Sequence, residues 1–203
     1  MIVLASKSPR RQALLRREGI PFRLLTADTD ESYSGGIGAE ALVRMLAERK
    51  ADAVSPLCGE TDIVIAADTV VSAKGRILGK PKDRADACKM LRFLSGSEQS
   101  VFTGVCLSSS SKKVIFTEES VVVFRPLSDK EIADYVENEK PFDKAGAYAV
   151  QEGGGGFVSE LRGDYDNVVG LPVFRVIEKL REEFGWMPTG DGKGANDEKN
   201  DRH

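Results

Sequence analysis

The stretch DIVIAADTVVSAKGRILGKP, residues 62–81, predicts the centre of a β-sheet. Its first half is rich in β-branched residues and indicates a buried strand that ends at Asp68. Lys74 and Gly75 then predict the turn of a hairpin. Open α/β sheets bind ligands at the carboxyl ends of their strands, so Asp68 is a candidate for holding a divalent cation or accepting a proton from water. The alternative is an aspartate that only caps a turn.

Helices and strands alternate on both sides of this stretch, and the order predicts an α/β fold with a mixed sheet. The strand segments are expected at 2–5, 22–26, 99–109 and 113–125 and around GAYAVQ and FVSELRG, and the helices at 9–18, 39–54, 83–95, 128–138 and about 171–185. No composition shift marks a linker, so residues 1–188 are predicted to form a single domain. Residues 189–203 have almost no apolar content, and we expect this tail to be disordered.

Composition excludes several classes of function. The 203 residues are 41% hydrophobic and 30% charged, as in a soluble globular protein, and the net charge of −3 argues against nucleic-acid and membrane partners. No signal peptide or membrane span is expected, and three scattered cysteines fit a reducing compartment, so we expect a cytoplasmic location. The only histidine is His203, which excludes Ser-His-Asp and Cys-His catalysis and most zinc sites.

The N-terminal stretch LASKSPRRQALLRREG, residues 4–19, predicts an anion site at the start of a helix. Ser8 is the expected N-cap, Pro9 the first helical residue and Gly19 the stop. Arg10 and Arg11 fall in the first turn, where the helix dipole is already positive, so they require an anionic partner. With Ser6 and the free backbone amides they form a suitable phosphate cradle. The alternative is a capped surface helix with two solvated arginines.

Other candidates are weak when taken singly. Lys80 lies in a GKP turn, Lys144 precedes small residues and a glycine run, Lys50 lies on a helix, and Glu31 lies in an acidic loop at 27–38. Each is also explained as a plain turn, a flexible loop or a solvated surface residue. Five cations with a few carboxylates and no ordered imidazole nevertheless suit metal-assisted chemistry on a polyphosphate. The sequence has no GxxxxGK[ST], which excludes a P-loop enzyme.

Seven ordered blocks carry a family resemblance: LASKSPRRQALL, AADTVV, GKPKD, MLRFLSG, TGV, DKAGAYAVQ and VVGLPV. Together they resemble the Maf family of nucleoside triphosphate pyrophosphatases over nearly all of residues 2–185. The resemblance implies a fold related to the inosine triphosphate pyrophosphatases, with a long twisted mixed sheet flanked by helices and a central cleft. It also implies a cytoplasmic enzyme that requires Mg²⁺ or Mn²⁺ and splits a nucleoside triphosphate into the monophosphate and pyrophosphate. A homodimer is possible.

The resemblance assigns roles to individual residues. Asp68 matches the catalytic proton acceptor, and Glu31 matches an acidic position that, with Asp68, we assign to metal. Substrate-binding residues are expected to be Ser6, Arg10, Arg11, Lys50, Lys80 and Lys144. At Arg10, Thr69 and Gln151 this sequence has the residue types of the branch that acts on dTTP and UTP. Modified pyrimidine nucleotides are further candidate substrates of this branch.

Two alternatives stay open. One is a 7-methyl-GTP pyrophosphatase, a second branch of the same family. The other is a nucleotide-binding regulator of septum formation, for which the nucleotide is a ligand and not a substrate. Metal-dependent release of pyrophosphate separates an enzyme from a regulator.

Overall fold

The computed structural model describes residues 1–33, 35–151 and 153–187. Its strands are β1 (Ile2–Leu4), β2 (Phe22–Leu24), β3 (Ile63–Ala73), β4 (Arg76–Leu78), β5 (Glu98–Ser108), β6 (Lys113–Phe124) and β7 (Val158–Arg162). Its α-helices are α1 (Pro9–Arg17), α2 (Ala39–Val54), α3 (Arg84–Leu94), α4 (Asp129–Glu139), α5 (Tyr165–Val169) and α6 (Val173–Phe184). Three short 3-10 helices occupy Ser55–Leu57, Ala145–Ala147 and Gly154–Phe157.

One mixed sheet organises these elements. Its strand order is β2-β1-β3-β5-β6-β7, and β4 pairs additionally with β3. β1 is parallel to both β2 and β3, whereas the other pairings are antiparallel. Helices cover the sheet, so the predicted fold class, a mixed α/β fold with helices flanking a mixed sheet, is confirmed.

The predicted end of the central strand at Asp68 is wrong. β3 continues to Ala73, because the β-branched residues after Asp68 keep pairing with β5, where Asp68 lies opposite Gly104. The hairpin turn is confirmed: Lys74 and Gly75 both have positive φ, at 48° and 74°. Asp68 therefore lies inside a strand and not at its carboxyl end.

Asp68 nevertheless reaches an opening, because the other edge of β3 is only partly covered. Here β1 pairs with residues 63–65 and β4 pairs with residues 71–73. Among the described strands none pairs with residues 66–70 on this edge. The two short partner strands thus leave a gap that exposes the middle of β3.

Helix α2 packs against the sheet face that carries the Asp68 side chain. Small residues permit a close approach: a Cβ on Gly104 would overlap the backbone carbonyl of Val43. Ala47 and Ala51 of α2 are fully buried against the same face. This short distance between helix and sheet sets how far an α2 side chain must reach to contact β3.

One expectation for the C-terminal half is also wrong. The GAYAVQ segment is not a strand, because Gly146 adopts φ of 69° and the chain turns there as a 3-10 helix. The final helix, expected at about 171–185, is confirmed as α6, which starts after Pro172, whose ring suits a helix start. A separate short helix, α5, precedes it and ends at Val169. The strand predicted around FVSELRG is confirmed as β7. The predicted disordered tail, 189–203, lies outside the described residues.

No helix in the described part of the chain combines the length and apolar character that crossing a bilayer needs.

Candidate functional site

A cavity of about 710 Å³ opens at the gap in β3. Its walls come from β3, the start of α1, α2, the loop after β2 and the segment between α4 and β7. All ten residues predicted for the site line it: Ser6, Arg10, Arg11, Glu31, Lys50, Asp68, Thr69, Lys80, Lys144 and Gln151. The structure therefore brings together groups that are up to 145 positions apart in the sequence, between Ser6 and Gln151.

One wall carries two carboxylates that share one ammonium group. Lys50 Nζ of α2 donates to Glu31 Oε1 at 2.9 Å and makes a short hydrogen bond with Asp68 Oδ1. The Asp68 side chain is only 13% exposed, and that of Lys50 is 17% exposed. The hydrogen bond from Lys50 lowers the pKa of Glu31 and outweighs the opposing effect of burial. Both carboxylates are therefore held toward the same point.

Arg49, which the sequence reasoning did not single out, holds the loop that carries Glu31. Its guanidinium donates to the backbone carbonyls of Asp30 and Ser32, at 3.1 and 2.8 Å. These carbonyls lie on either side of Glu31 in the chain. Two adjacent residues of α2 thus orient this region: Arg49 holds the loop and Lys50 holds the Glu31 carboxylate. No pattern in the sequence links Arg49 to an acidic loop 17 to 19 positions away.

The start of α1 forms as predicted, but its two arginines differ in their environment. Ser8 caps the helix by accepting from the backbone N–H of Arg11, and Ser6 Oγ accepts from the N–H of Ser8. Arg11 is only 9% exposed, and its guanidinium donates to the carbonyls of Gly170 and Ala67 at 2.7 and 2.8 Å. Burial lowers the pKa of Arg11, although the Asp68 charge opposes this shift. The Arg11 guanidinium, in the first turn of α1, therefore bonds to buried backbone carbonyls and also lines the open cavity.

Arg11 also begins a chain of hydrogen bonds beneath the cavity. It donates to Thr69 Oγ1 at 3.0 Å, and Thr69 Oγ1 lies 2.9 Å from Thr103 Oγ1. Thr103 gives its own hydrogen to the carbonyl of Asn167, so Thr69 is the donor to Thr103. The Asn167 amide donates in turn to Ser120 Oγ and Val101 O. Sequence reasoning missed Thr103 and Asn167, although both lie in or beside blocks of the family resemblance.

A second wall of the same cavity carries another group of charges. Asp143 accepts from Arg10 Nη1 at 3.3 Å and from Lys144 Nζ at 2.8 Å. Burial raises the pKa of Asp143, but Lys144 and Arg10 together outweigh it and hold this pKa below its usual value. Asp143 was not predicted as a site residue; the signal was its place immediately before Lys144 in the DKAGAY block.

Lys80 is the most accessible of the predicted cations. It is exposed at the rim, and within the described ranges no hydrogen bond or ion pair engages its ammonium group. A hydrogen bond from the N–H of Gly146 to the carbonyl of Gly79 fixes the turn that carries it. Its charge also contributes to the lowered pKa of Glu31. Lys80 is thus placed to meet an anion that enters the cleft.

Another part of the cavity lining is less charged. Tyr148, Val150 and Val168 line it together with the exposed amide of Gln151. Tyr148 is buried, and its ring packs edge-on against Phe124 at 4.8 Å between centroids. Burial raises the pKa of the Tyr148 hydroxyl above its usual value. An apolar wall beside one amide that both donates and accepts suits a flat polar ring.

The carboxylate wall fits a divalent cation that takes only some of its ligands from the protein. No group of three or more His, Cys, Asp or Glu side chains converges anywhere in residues 1–33, 35–151 and 153–187. Glu31 and Asp68, however, both point at one position, now taken by the Lys50 ammonium. Mg²⁺ is commonly bound by one or two carboxylates together with substrate phosphates. The donor set therefore fits a cation whose remaining ligands come from a nucleotide and water.

Comparisons with known proteins show the family of the chain. Residues 1–183 match the model of the family described as "Maf-like protein". The chain is 46% identical to a dTTP/UTP pyrophosphatase of Pelotomaculum thermopropionicum, covering 91% of this chain and 97% of that protein. It is 45% identical to a dTTP/UTP pyrophosphatase of Symbiobacterium thermophilum, covering 95% and 98%. A solved structure, the Staphylococcus aureus Ham1 protein, matches at 16% identity with a TM-score of 0.41, covering 61% of this chain and 71% of that one.

Proposed function

Because the chain belongs to the Maf-like family, we propose that it is a nucleoside triphosphate pyrophosphatase that hydrolyses dTTP and UTP to the monophosphate and pyrophosphate. The names of its relatives, at 41–46% identity, support this substrate class over 7-methyl-GTP. The structural observation that carries the proposal is the pair of charged walls that line one cavity. One wall presents Asp68 and Glu31, and the other presents Arg10 and Lys144, with Lys80 at the rim.

The triphosphate is expected to lie between these walls. Lys80 and the cations of the second wall bind its β- and γ-phosphates, which places the α-phosphorus near Asp68. For the cations around Asp143 this means exchanging a carboxylate partner for a phosphate. Guanidinium and ammonium groups suit this exchange because phosphate oxygens are stronger acceptors with more charge.

Asp68 then serves as the general base. Its Oδ1 accepts from Lys50, and Oδ2 has no hydrogen-bond partner in the described part of the chain. Oδ2 therefore takes the proton of a water molecule whose oxygen forms a bond to the α-phosphorus. The bond from this phosphorus to the oxygen that bridges the α- and β-phosphates breaks, and pyrophosphate leaves with that oxygen. A divalent cation held by Glu31 and Asp68 would neutralise phosphate charge during the step.

Selection of the base rests on Gln151. Uracil and thymine present an N–H donor between two carbonyl acceptors, and one amide can pair with both kinds of group. A neutral amide also avoids placing an anion beside the base. The apolar wall near Tyr148 packs against the ring without demanding further hydrogen bonds.

The test is a nucleotide panel assayed for pyrophosphate. Purified protein is given dTTP, UTP, CTP and 7-methyl-GTP at equal concentration, with Mg²⁺ or with excess EDTA. We expect turnover of dTTP and UTP that requires the metal. Preference for 7-methyl-GTP would overturn the substrate assignment, and pyrophosphate release from none of them would favour a nucleotide-binding regulator.

A substitution tests the role of Asp68. Asp68→Asn should lower kcat by about 10²–10⁴-fold, the range that a positioned general base contributes. Asp28→Asn is the matched control, because Asp28 lines the same cavity and has no role in the mechanism; it should keep most of the activity. Near-normal turnover by Asp68→Asn would refute the assignment.

A further inference from the structure

The carboxylate pair of the cleft carries its own cation. Lys50 is placed between Glu31 and Asp68 by a helix whose neighbouring Arg49 also fixes the Glu31 loop. The pair is therefore held together by a side chain of the protein itself. An ammonium group and a divalent cation compete for the same oxygens, since both approach the carboxylates along their lone pairs.

We propose that Lys50 is an internal counter-ion that excludes free divalent cations from the carboxylate pair, so that the metal enters only together with the phosphates of the nucleotide. The proposal rests on the proposed function and adds an order of binding to it. Lys50 is then a positioning residue that changes partners: it releases the carboxylates when phosphate oxygens become available to it. The flexible four-carbon stem of lysine allows this movement, which a buried guanidinium would not.

The charges of the whole cleft support this order. The described residues that line it include six cations, Lys7, Arg10, Arg11, Lys50, Lys80 and Lys144, against four carboxylates, Asp28, Glu31, Asp68 and Asp143. A free divalent cation therefore enters against a net positive lining and meets the Lys50 ammonium at contact distance. A nucleotide triphosphate that carries the metal is net negative and is attracted.

Binding of Mn²⁺, measured by the electron paramagnetic resonance of the free ion, tests the proposal without turnover. The probes are Mn²⁺ alone and Mn²⁺ with the dTTP analogue whose α,β-bridging oxygen is replaced by NH. Wild-type protein should bind Mn²⁺ weakly alone and at least about tenfold more tightly with the analogue. Lys50→Gln should bind Mn²⁺ alone about tenfold more tightly than wild type, because it removes a unit charge at contact distance.

Two further variants separate direct competition between the Lys50 ammonium and Mn²⁺ from the general electrostatic field of the cleft. Lys7→Gln removes the same charge from the lining but not from the carboxylate pair, and it should change Mn²⁺ affinity by less than about threefold. Lys50→Arg keeps a cation at the pair and should retain the wild-type weakness. If Lys50→Gln does not fold, Lys50→Arg takes its place in the comparison. Circular dichroism verifies the fold of Lys50→Arg, and its Mn²⁺ affinity is compared with that of Lys7→Gln.

The Mn²⁺ affinities either support the proposal or overturn it. Tight Mn²⁺ binding by the wild-type protein without nucleotide would overturn the proposal, and so would equal effects of Lys50→Gln and Lys7→Gln. Failure of the proposed function gives a different result, namely no pyrophosphate from any nucleotide of the panel. Mn²⁺ affinities of the variants remain informative in that case, because they do not depend on catalysis.

Discussion

Replacing Arg11 by methionine removes a buried guanidinium while keeping most of the volume of the side chain. The structure accounts for four hydrogen bonds of this group, to Gly170 O, Ala67 O, Ser6 Oγ and Thr69 Oγ1. The Ala67 carbonyl lies at the gap in β3, where no strand among the described residues replaces the lost donor, and the Gly170 carbonyl lies just after α5. Arg11 thus closes part of the sheet edge that the short partner strands leave open.

The expected cost follows from these contacts. A buried carbonyl that loses its donor costs about 1–3 kcal/mol, so two of them predict a loss of about 2–6 kcal/mol in the free energy of unfolding. The hydroxyls of Ser6 and Thr69 can rotate toward other partners and add little. The opposite sign is expected if Arg11 is merely a solvated cation at the positive end of α1, because its removal would then stabilise the protein by about 0.3–1 kcal/mol.

Equilibrium unfolding in urea measures the difference. Trp186, the only tryptophan of the chain, packs partly buried against the core cluster near α6 and reports the transition by fluorescence. Arg16→Met is the matched control on the same helix: Arg16 is exposed, bonds to Gln12 at 3.1 Å and lies over the Phe22 ring, so its loss should change stability by about 1 kcal/mol or less. Arg11→Met within about 1 kcal/mol of wild type would refute the reasoning, given the cost of even one unpaired carbonyl.

Three more substitutions or reactions test other parts of the structure. Asp143→Asn removes the carboxylate that competes with phosphate for two cations of the cleft, so KM for dTTP should fall while kcat changes little; a raised KM in steady-state assays would contradict this exchange. Gly104→Ala places a methyl group against the carbonyl of Val43 and should destabilise the protein by about 1–3 kcal/mol, typical of overpacking, whereas Gly156→Ala has open space and should lie within about 0.5 kcal/mol of wild type in urea unfolding. Burial raises the pKa of the Cys106 thiol to about 12, so iodoacetamide at pH 8 should leave it unmodified in folded protein and alkylate it in urea; rapid labelling of the folded protein, seen by mass spectrometry, would show that the thiol is accessible.

Local sequence signals predicted the elements whose formation depends on neighbouring residues. Ser8 and Pro9 start α1 as predicted, and the helices expected at 83–95 and 128–138 form as α3 and α4, where Asp83 is the N-cap and Ser128 with Glu131 makes a capping box. The hairpin turn at Lys74 is equally local. Errors arose where packing overrides such signals, as for the strand that continues through Asp68 and for the GAYAVQ segment.

Residue types and their order specified the inventory of the cleft: five cations, a few carboxylates, no histidine before position 203 and the spacing that indicates the family. Each of these is a property of residue types and their order. Only the tertiary structure decided which charge faces which, because pairing depends on distances between elements far apart in the chain. It placed Lys50 between two acidic side chains, turned Arg11 toward the Ala67 carbonyl at the sheet gap, and set Asp143 between two cations. Electrostatic energy falls with separation, and separation is what folding sets.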